Sequence, residues 1–428
     1  MSAENRPIFV RGLTPLRGIA ALLVVFMHYN LFIAAVAPTD KYPVVEKLTL
    51  MVDFFFVLSG FVMRHNYGAL FQQRLSGPAL RAYLGARFAR LYPLHIITFA
   101  IVFVIGSIAV ANAWVPSPSS FFDDHAVIPQ LLMVQAWGYP HEATWNTPSW
   151  SISIEFLLYL LFPLLVLGLA RTGWIGRILF AGLLAASAAA ILYHFQPAFW
   201  RERWRLNHVP DFVPYPIHTF DVITGPGAML RGLYGFGIGL LLHEFWESRR
   251  AERLFGSVLL PIVAVATLVT LWQLKLILDP FAVLLLAVIL LSVACPDSLA
   301  GRVLEMQPFR WLGDVSYSIY LVHLIPILGY IVWRGAHYQP DPLQSPAGLG
   351  FALPHDQALA GLVIVYAITL VLATLTNRLV EKPGRAWLRH AFGLGRPHPA
   401  TPEQAGAADD DLAPEPPTGV NPVAATAP

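Results

Sequence analysis

Between Thr14 and Phe32 the chain reads TPLRGIAALLVVFMHYNLF, an apolar run that is long enough to cross a bilayer yet carries Arg17 and His28. Their separation is almost three turns of α-helix, so both side chains share one stripe, roughly 16 Å apart along the axis. A charged or titratable group inside a membrane helix costs free energy and usually faces a bundle interior or a wet cavity. Each has a plainer reading: a positive-inside residue snorkelling at a helix start for Arg17, a satisfied buried histidine for His28. Function has to come from the company they keep.

That company is polar residues at helical spacing in other apolar runs. In TPSWSISIEFLLY, Ser151, Glu155 and Tyr159 recur every fourth residue and line one face, and a glutamate so placed needs a partner or a role. In GDVSYSIYLVHLIP, Ser316, Tyr320 and His323 form a second stripe. RFARLYPLH places Arg87 and Arg90 on one helix face at an inner membrane edge, where guanidinium groups hold phosphates bidentately or form a collar against lipid headgroups. In DFFFVLSGFVMRH, Asp53 lies near a helix end, where the dipole also explains it, and Ser59-Gly60 suits a packing notch.

The elements that must position these groups follow from composition. The 428 residues are 56% hydrophobic and 13% charged, with a mean hydropathy of +0.58, and the apolar residues come in runs of about 20. The sequence predicts an all-α, polytopic transmembrane helical bundle of about ten spans, near 14–36, 50–67, 91–112, 150–169, 174–195, 223–245, 257–274, 277–294, 313–333 and 359–380. One cysteine, Cys295, excludes an intramolecular disulfide. No glycine-rich phosphate loop, metal-ligand spacing or basic–aromatic pattern for nucleic acid occurs.

The segment 129–140 is too short to cross. If it does not, Arg171 and Arg177, Arg249, Arg250 and Arg253, Arg302 and Arg310, and Lys382, Arg385 and Arg389 fall on the cytoplasmic side, in keeping with the positive-inside rule, with Arg201, Arg203 and Arg205 running against it. The expected protein is a multi-pass protein of a bacterial cytoplasmic (inner) membrane with both termini cytoplasmic. Ala35-Val36-Ala37 imitates a signal cleavage site, but the preceding run is long for a signal core, so an uncleaved first span is expected. Outer segments 197–222 and 335–353 are long, and 391–428, rich in Pro, Ala and Asp, reads as a disordered cytoplasmic tail. This topology puts Arg17, Arg87 and Arg90 toward the cytoplasm. His28, Asp53, Glu155 and, nearer the middle, His323 fall in the outer half. A cationic inner mouth and a histidine–carboxylate outer half suit two substrates arriving from opposite sides.

Arg17 and His28 also reproduce an Arg-x10-His pair, followed in order by DFFFVLSGF, RFARLYP, WSISIE, SYSIYLVH and VEKP at 380–383. In these blocks the chain resembles the acyltransferase-3 family of bacterial integral-membrane O-acyltransferases over residues 10–390. The resemblance implies one transmembrane domain that moves an acyl group, acetyl or sometimes succinyl, from cytoplasmic acyl-CoA to a hydroxyl of a cell-envelope or secreted glycan, or of a lipid-linked sugar or small molecule. It implies no permanently bound cofactor, with acyl-CoA as co-substrate and membrane lipids as surroundings. Carried onto this chain, Arg17, Arg87 and Arg90 would grip the CoA. His28 would be general base, or would carry the acyl group covalently. Glu155 would orient a histidine or bind sugar hydroxyls. Tyr320, Ser151, Asp53 and His323 would line the acyl or acceptor pocket. A rival reading, a transporter or exporter of a glycan or solute, uses the same stripes without chemistry.

Overall fold

The computed structural model describes residues 12–34, 36–38, 41–114, 122–138, 144–198, 219–248, 255, 259–295, 298–337 and 353–394. Among them every regular element is a helix. The principal ones are α1 (Leu13–Phe32), α2 (Met51–Phe71), α3 (Gly77–Ala111), α4 (Trp150–Ala190), α5 (Gly225–Glu247), α6 (Leu259–Gln273), α7 (Asp279–Ala294), α8 (Gln307–Asp314), α9 (Ser316–Val322), α10 (Leu324–His337), α11 (His355–Thr376) and α12 (Lys382–Ala391).

Five stretches have the length and apolar composition to cross a membrane: Leu13–Phe32, Gly77–Ala111, Thr147–Ala198, Ser316–His337 and His355–Ala391. Leu160, Leu164, Ile178, Leu179, Val263, Val363, Ile364 and Val371 stand exposed on the outside of the bundle. A belt of that kind is costly in water and natural in lipid. The protein is thus a helical membrane protein. The expected count of ten spans would require dividing Thr147–Ala198 at Gly173, where φ is 60° and ψ −140°, and adding α2, α5 and the shorter α6 and α7. Segment 129–140 begins in a five-residue helix, Val127–Leu131, too short to span, and is tucked against the start of α4 through Trp137 Nε1, which donates to the Ser153 carbonyl at 3.0 Å. The expectations for the outer loops and the tail fall mostly at 199–218, 338–352 and 395–428, outside the described residues.

Helix α5 holds the bundle together because its glycines let backbones meet. Gly232 and Gly237 face Ile154 and Leu184 of α4, while Gly235 and Gly239 face α2 at Phe56 and at the Val57 carbonyl. On the α2 side, a Cβ at Gly60 would overlap the Phe236 carbonyl. The notch expected at Ser59-Gly60 is therefore real, and Gly60 is the residue that makes it. Small residues at a helix crossing bring dispersion contacts that lipid cannot supply. Gly60→Ala is expected to lower the thermal midpoint of the purified protein, with a loss of about 1–3 kcal/mol. An unchanged midpoint would mean that α2 and α5 can part without cost.

Two further irregularities place side chains. Regular helix is interrupted at Val315 and again at His323, so α8 ends where the apolar run begins and the run itself becomes α9 and α10. Pro326, in the first turn of α10, has no N–H to offer the Val322 carbonyl, which explains the second break. His323 sits at that break. Helix α3, at about 52 Å, is longer than a hydrocarbon core and carries Arg87 and Arg90 in its N-terminal half.

Candidate functional site

A cavity of about 760 Å³, mouth included, opens between α1, α2, α3, α4 and α9. Arg17, Arg87 and Arg90 line it, together with Ser151, Glu155, Tyr159, Ser316 and Tyr320; Phe55, Phe56, Val62, Leu91 and Ile152 supply apolar wall. Both polar stripes expected from spacing thus reach one space, His323 excepted.

Each arginine is held differently. The Arg17 guanidinium donates from Nε and Nη2 to Ser316 Oγ, both at 3.3 Å, and no carboxylate partner appears among the described residues. Arg87 lies over the Tyr67 ring at 4.9 Å and donates to its hydroxyl at 2.8 Å. Arg90 forms a buried ion pair with Glu381, whose other oxygen accepts from Ser318 Oγ at 2.6 Å and Asn377 Nδ2 at 3.1 Å. Glu155 accepts at Oε1 from Ser59 Oγ at 2.9 Å and from the Tyr159 hydroxyl at 2.5 Å. Its hydrogen bonds involve no histidine, so the expected role of orienting one lacks a contact here. Three guanidinium groups against two carboxylates leave the cavity net positive.

At the far end Tyr320 is locked: its hydroxyl donates to the Pro148 carbonyl at 2.9 Å and lies 2.7 Å from Ser151 Oγ. Phe55 packs edge-on against the Tyr320 ring at 5.6 Å. The Tyr320 ring neighbours that of His323 at 5.9 Å, and neither His323 nor His28 is among the residues that line the cavity. His323 Nε2 lies 3.2 Å from His28 Nδ1. His28 Nδ1 also faces the Val24 carbonyl at 3.0 Å, and His323 Nδ1 faces the Ile319 carbonyl at 3.3 Å. A carbonyl can only accept, so each Nδ1 carries the hydrogen. His28 Nδ1–H is then shared between Val24 and His323 Nε2, and the His28 lone pair resides on Nε2. The sequence put both rings in contact with the substrate space; the structure joins them to each other, apart from the residues that line it.

Asp53 lies elsewhere. It is 0% exposed and is gripped by Arg231, 1% exposed, through Nε at 3.0 Å and Nη2 at 2.7 Å. Arg231 also stacks on Trp150 at 5.0 Å and donates to the Val222 and Thr49 carbonyls. Asp53 is not among the residues that line the cavity, and its carboxylate is held by Arg231. Sequence reasoning passed over both Arg231 and Glu381. Arg231 could have been found as a lone cation in an apolar helix, which demands an acid.

A family model described as "Acyltransferase domain" matches residues 10–376. Acyltransferase MdmB of Streptomyces mycarofaciens is 27% identical over 94% of this chain and 97% of its own. Peptidoglycan O-acetyltransferase OatA of Listeria monocytogenes is 23% identical over 88% of this chain, which spans 56% of that longer protein. No solved structure matches. With chemistry rather than passage written into its relatives, the exporter reading falls away. Its residues 10–376, its helical membrane architecture and its near full-length likeness to an acyltransferase establish that the chain belongs to the acyltransferase-3 family of integral-membrane O-acyltransferases.

Proposed function

We propose that the protein transfers an acetyl group from cytoplasmic acyl-CoA to a hydroxyl of a cell-envelope or secreted glycan. It does so as a ten-span protein of a bacterial cytoplasmic (inner) membrane with both termini inside. The observation that carries the reading is Arg17. It is a guanidinium facing the cavity with no acid partner among the described residues, beside Arg87 and Arg90. Such a group calls for an anion, and CoA phosphates are anions that accept bidentate hydrogen bonds. With the phosphates there, the pantetheine arm passes Glu155 and the thioester comes up to Ser151 and Tyr320. That end of the wall offers Ser151, Ile152, Tyr320 and Phe55 but no cation, so it suits a neutral acetyl better than a succinyl carboxylate.

The acceptor comes from the outer side to His28. Its hydroxyl proton passes to His28 Nε2 as its oxygen bonds to the acyl carbon. The C–S bond then breaks, and the same proton leaves with the CoA thiolate. His323 Nε2, accepting from His28 Nδ1–H, fixes the tautomer that leaves Nε2 basic and steadies the imidazolium. For thioester and histidine to meet, the cavity wall beside Tyr320 has to open. The Tyr320 hydroxyl is held by Pro148 and Ser151, whereas Phe55 is only part-buried, so Phe55 is the ring that swings.

The test is reconstitution in proteoliposomes with labelled acetyl-CoA inside and envelope glycan outside. Label is expected in the glycan as an acetyl ester; none in any glycan fraction would sink the proposal. Arg17→Ala should raise KM for acetyl-CoA by about 10-fold or more, the worth of a charge-assisted hydrogen bond, with kcat little changed.

A further inference from the structure

Beyond the cavity, on the same face of α3, the chain buries a second polar set. Arg87 and Leu91 line the cavity, and His95 and Thr98 follow them outward at helical spacing, each 0% exposed. His95 Nε2 donates to the Gln130 carbonyl at 2.7 Å, so its Nδ1 bears a lone pair. Gln130 Nε2 donates to the Thr144 carbonyl at 2.9 Å, and Gln135 Nε2 donates to Ser149 Oγ at 3.0 Å. Asn146 Nδ2 donates to Thr98 Oγ1 at 3.2 Å and to the Leu321 carbonyl at 3.3 Å.

Within this web four buried atoms have no partner among the described residues: His95 Nδ1, Gln135 Oε1, Asn146 Oδ1 and Thr144 Oγ1. Their residues are at most 4% exposed. Leaving one such atom unsatisfied costs stability, and native interiors seldom tolerate several together. The set has a definite chemical bias. Three are pure acceptors and the fourth is a hydroxyl, with no carboxylate or cation among them. They require neutral hydrogen-bond donors, and burial leaves no opening for a large one.

We propose that this cluster is a bound-water site. Ordered water, one molecule or several, donates to His95 Nδ1, Gln135 Oε1 and Asn146 Oδ1 and bonds Thr144 Oγ1, as buried water does for polar groups that lack another partner. Its consequence is positional. Asn146 holds the Leu321 carbonyl while Pro148 and Ser151 hold the neighbouring Tyr320 hydroxyl. The hydrated web therefore fixes α9 at the turn that presents Tyr320 and His323. The inference rests on the buried atoms alone, so its test needs no turnover.

Thr144→Val is close in shape and removes only an atom that no group among the described residues satisfies. Without water there, deleting an unsatisfied hydroxyl should leave the thermal midpoint unchanged or raise it. With water, the midpoint of the full-length protein in nanodiscs falls by about 1–2 °C. Hydroxyl-radical footprinting by mass spectrometry supplies the second measurement. Corrected for intrinsic reactivity, His95 should be labelled several-fold faster than Tyr29, equally buried but with its hydroxyl satisfied by the Ala358 carbonyl. A midpoint that holds or rises, or a His95 labelled no faster than Tyr29, overturns the proposal.

Discussion

His28→Gln is expected to lower kcat for acyl transfer by about 10²–10⁴-fold, the range that a positioned general base contributes. KM for acyl-CoA should hardly move, because the guanidinium groups assigned to the phosphates are elsewhere; Arg17 lies roughly 16 Å along the same helix. Folding should also survive. Among the described residues the His28 ring meets the Val24 carbonyl and the Phe32 ring on its own helix and His323 across from it, and glutamine keeps a polar side chain of similar reach there. The measurement is steady-state kinetics on reconstituted protein alongside a melting curve. Wild-type turnover in the variant would remove His28 from the mechanism. His323→Gln should cost less, because glutamine can still accept from His28 Nδ1–H. An acylated histidine recovered after acid quench would replace base catalysis by a covalent relay. In the tautomer set by Val24 and Ile319, direct proton transfer requires no such adduct.

How far these residues could be read from the chain depends on what periodicity can convey. Spacing tells which side chains share a helix face, and in this it succeeded: Ser151, Glu155 and Tyr159 do face one space, and Tyr159 proves to be the partner of Glu155. Spacing is silent on what a neighbouring helix inserts. Arg17 and His28 lie on one stripe, yet one lines the cavity and the other meets His323. Pairings across hundreds of residues, such as Arg90 with Glu381, obey no local rule, and only the demand that a buried charge find its opposite points to them. The ten apolar runs were legible as helices, whereas the break at His323 needed attention to Pro326, whose missing N–H leaves a mark in the sequence itself.

The same demand governs Asp53. Asp53→Asn is expected to destabilise the protein by about 3–5 kcal/mol, because it leaves the Arg231 guanidinium buried beside a neutral amide. Lost yield, a lower melting midpoint and lost activity would follow whether Asp53 binds substrate or merely holds Arg231, so the single variant does not separate the roles. A double variant does. Asp53→Leu with Arg231→Met removes both charges and keeps apolar volume between α2 and α5, and replacing a buried ion pair in this way is often neutral or stabilising. Restored folding with restored transfer would make the pair an internal strut that sets Trp150 and the start of α4. Restored folding with transfer still absent would return Asp53 to the substrate. The first outcome is expected, because Arg231 meets the carboxylate through both Nε and Nη2 and the pair has at most 1% exposure, which leaves no oxygen facing the cavity.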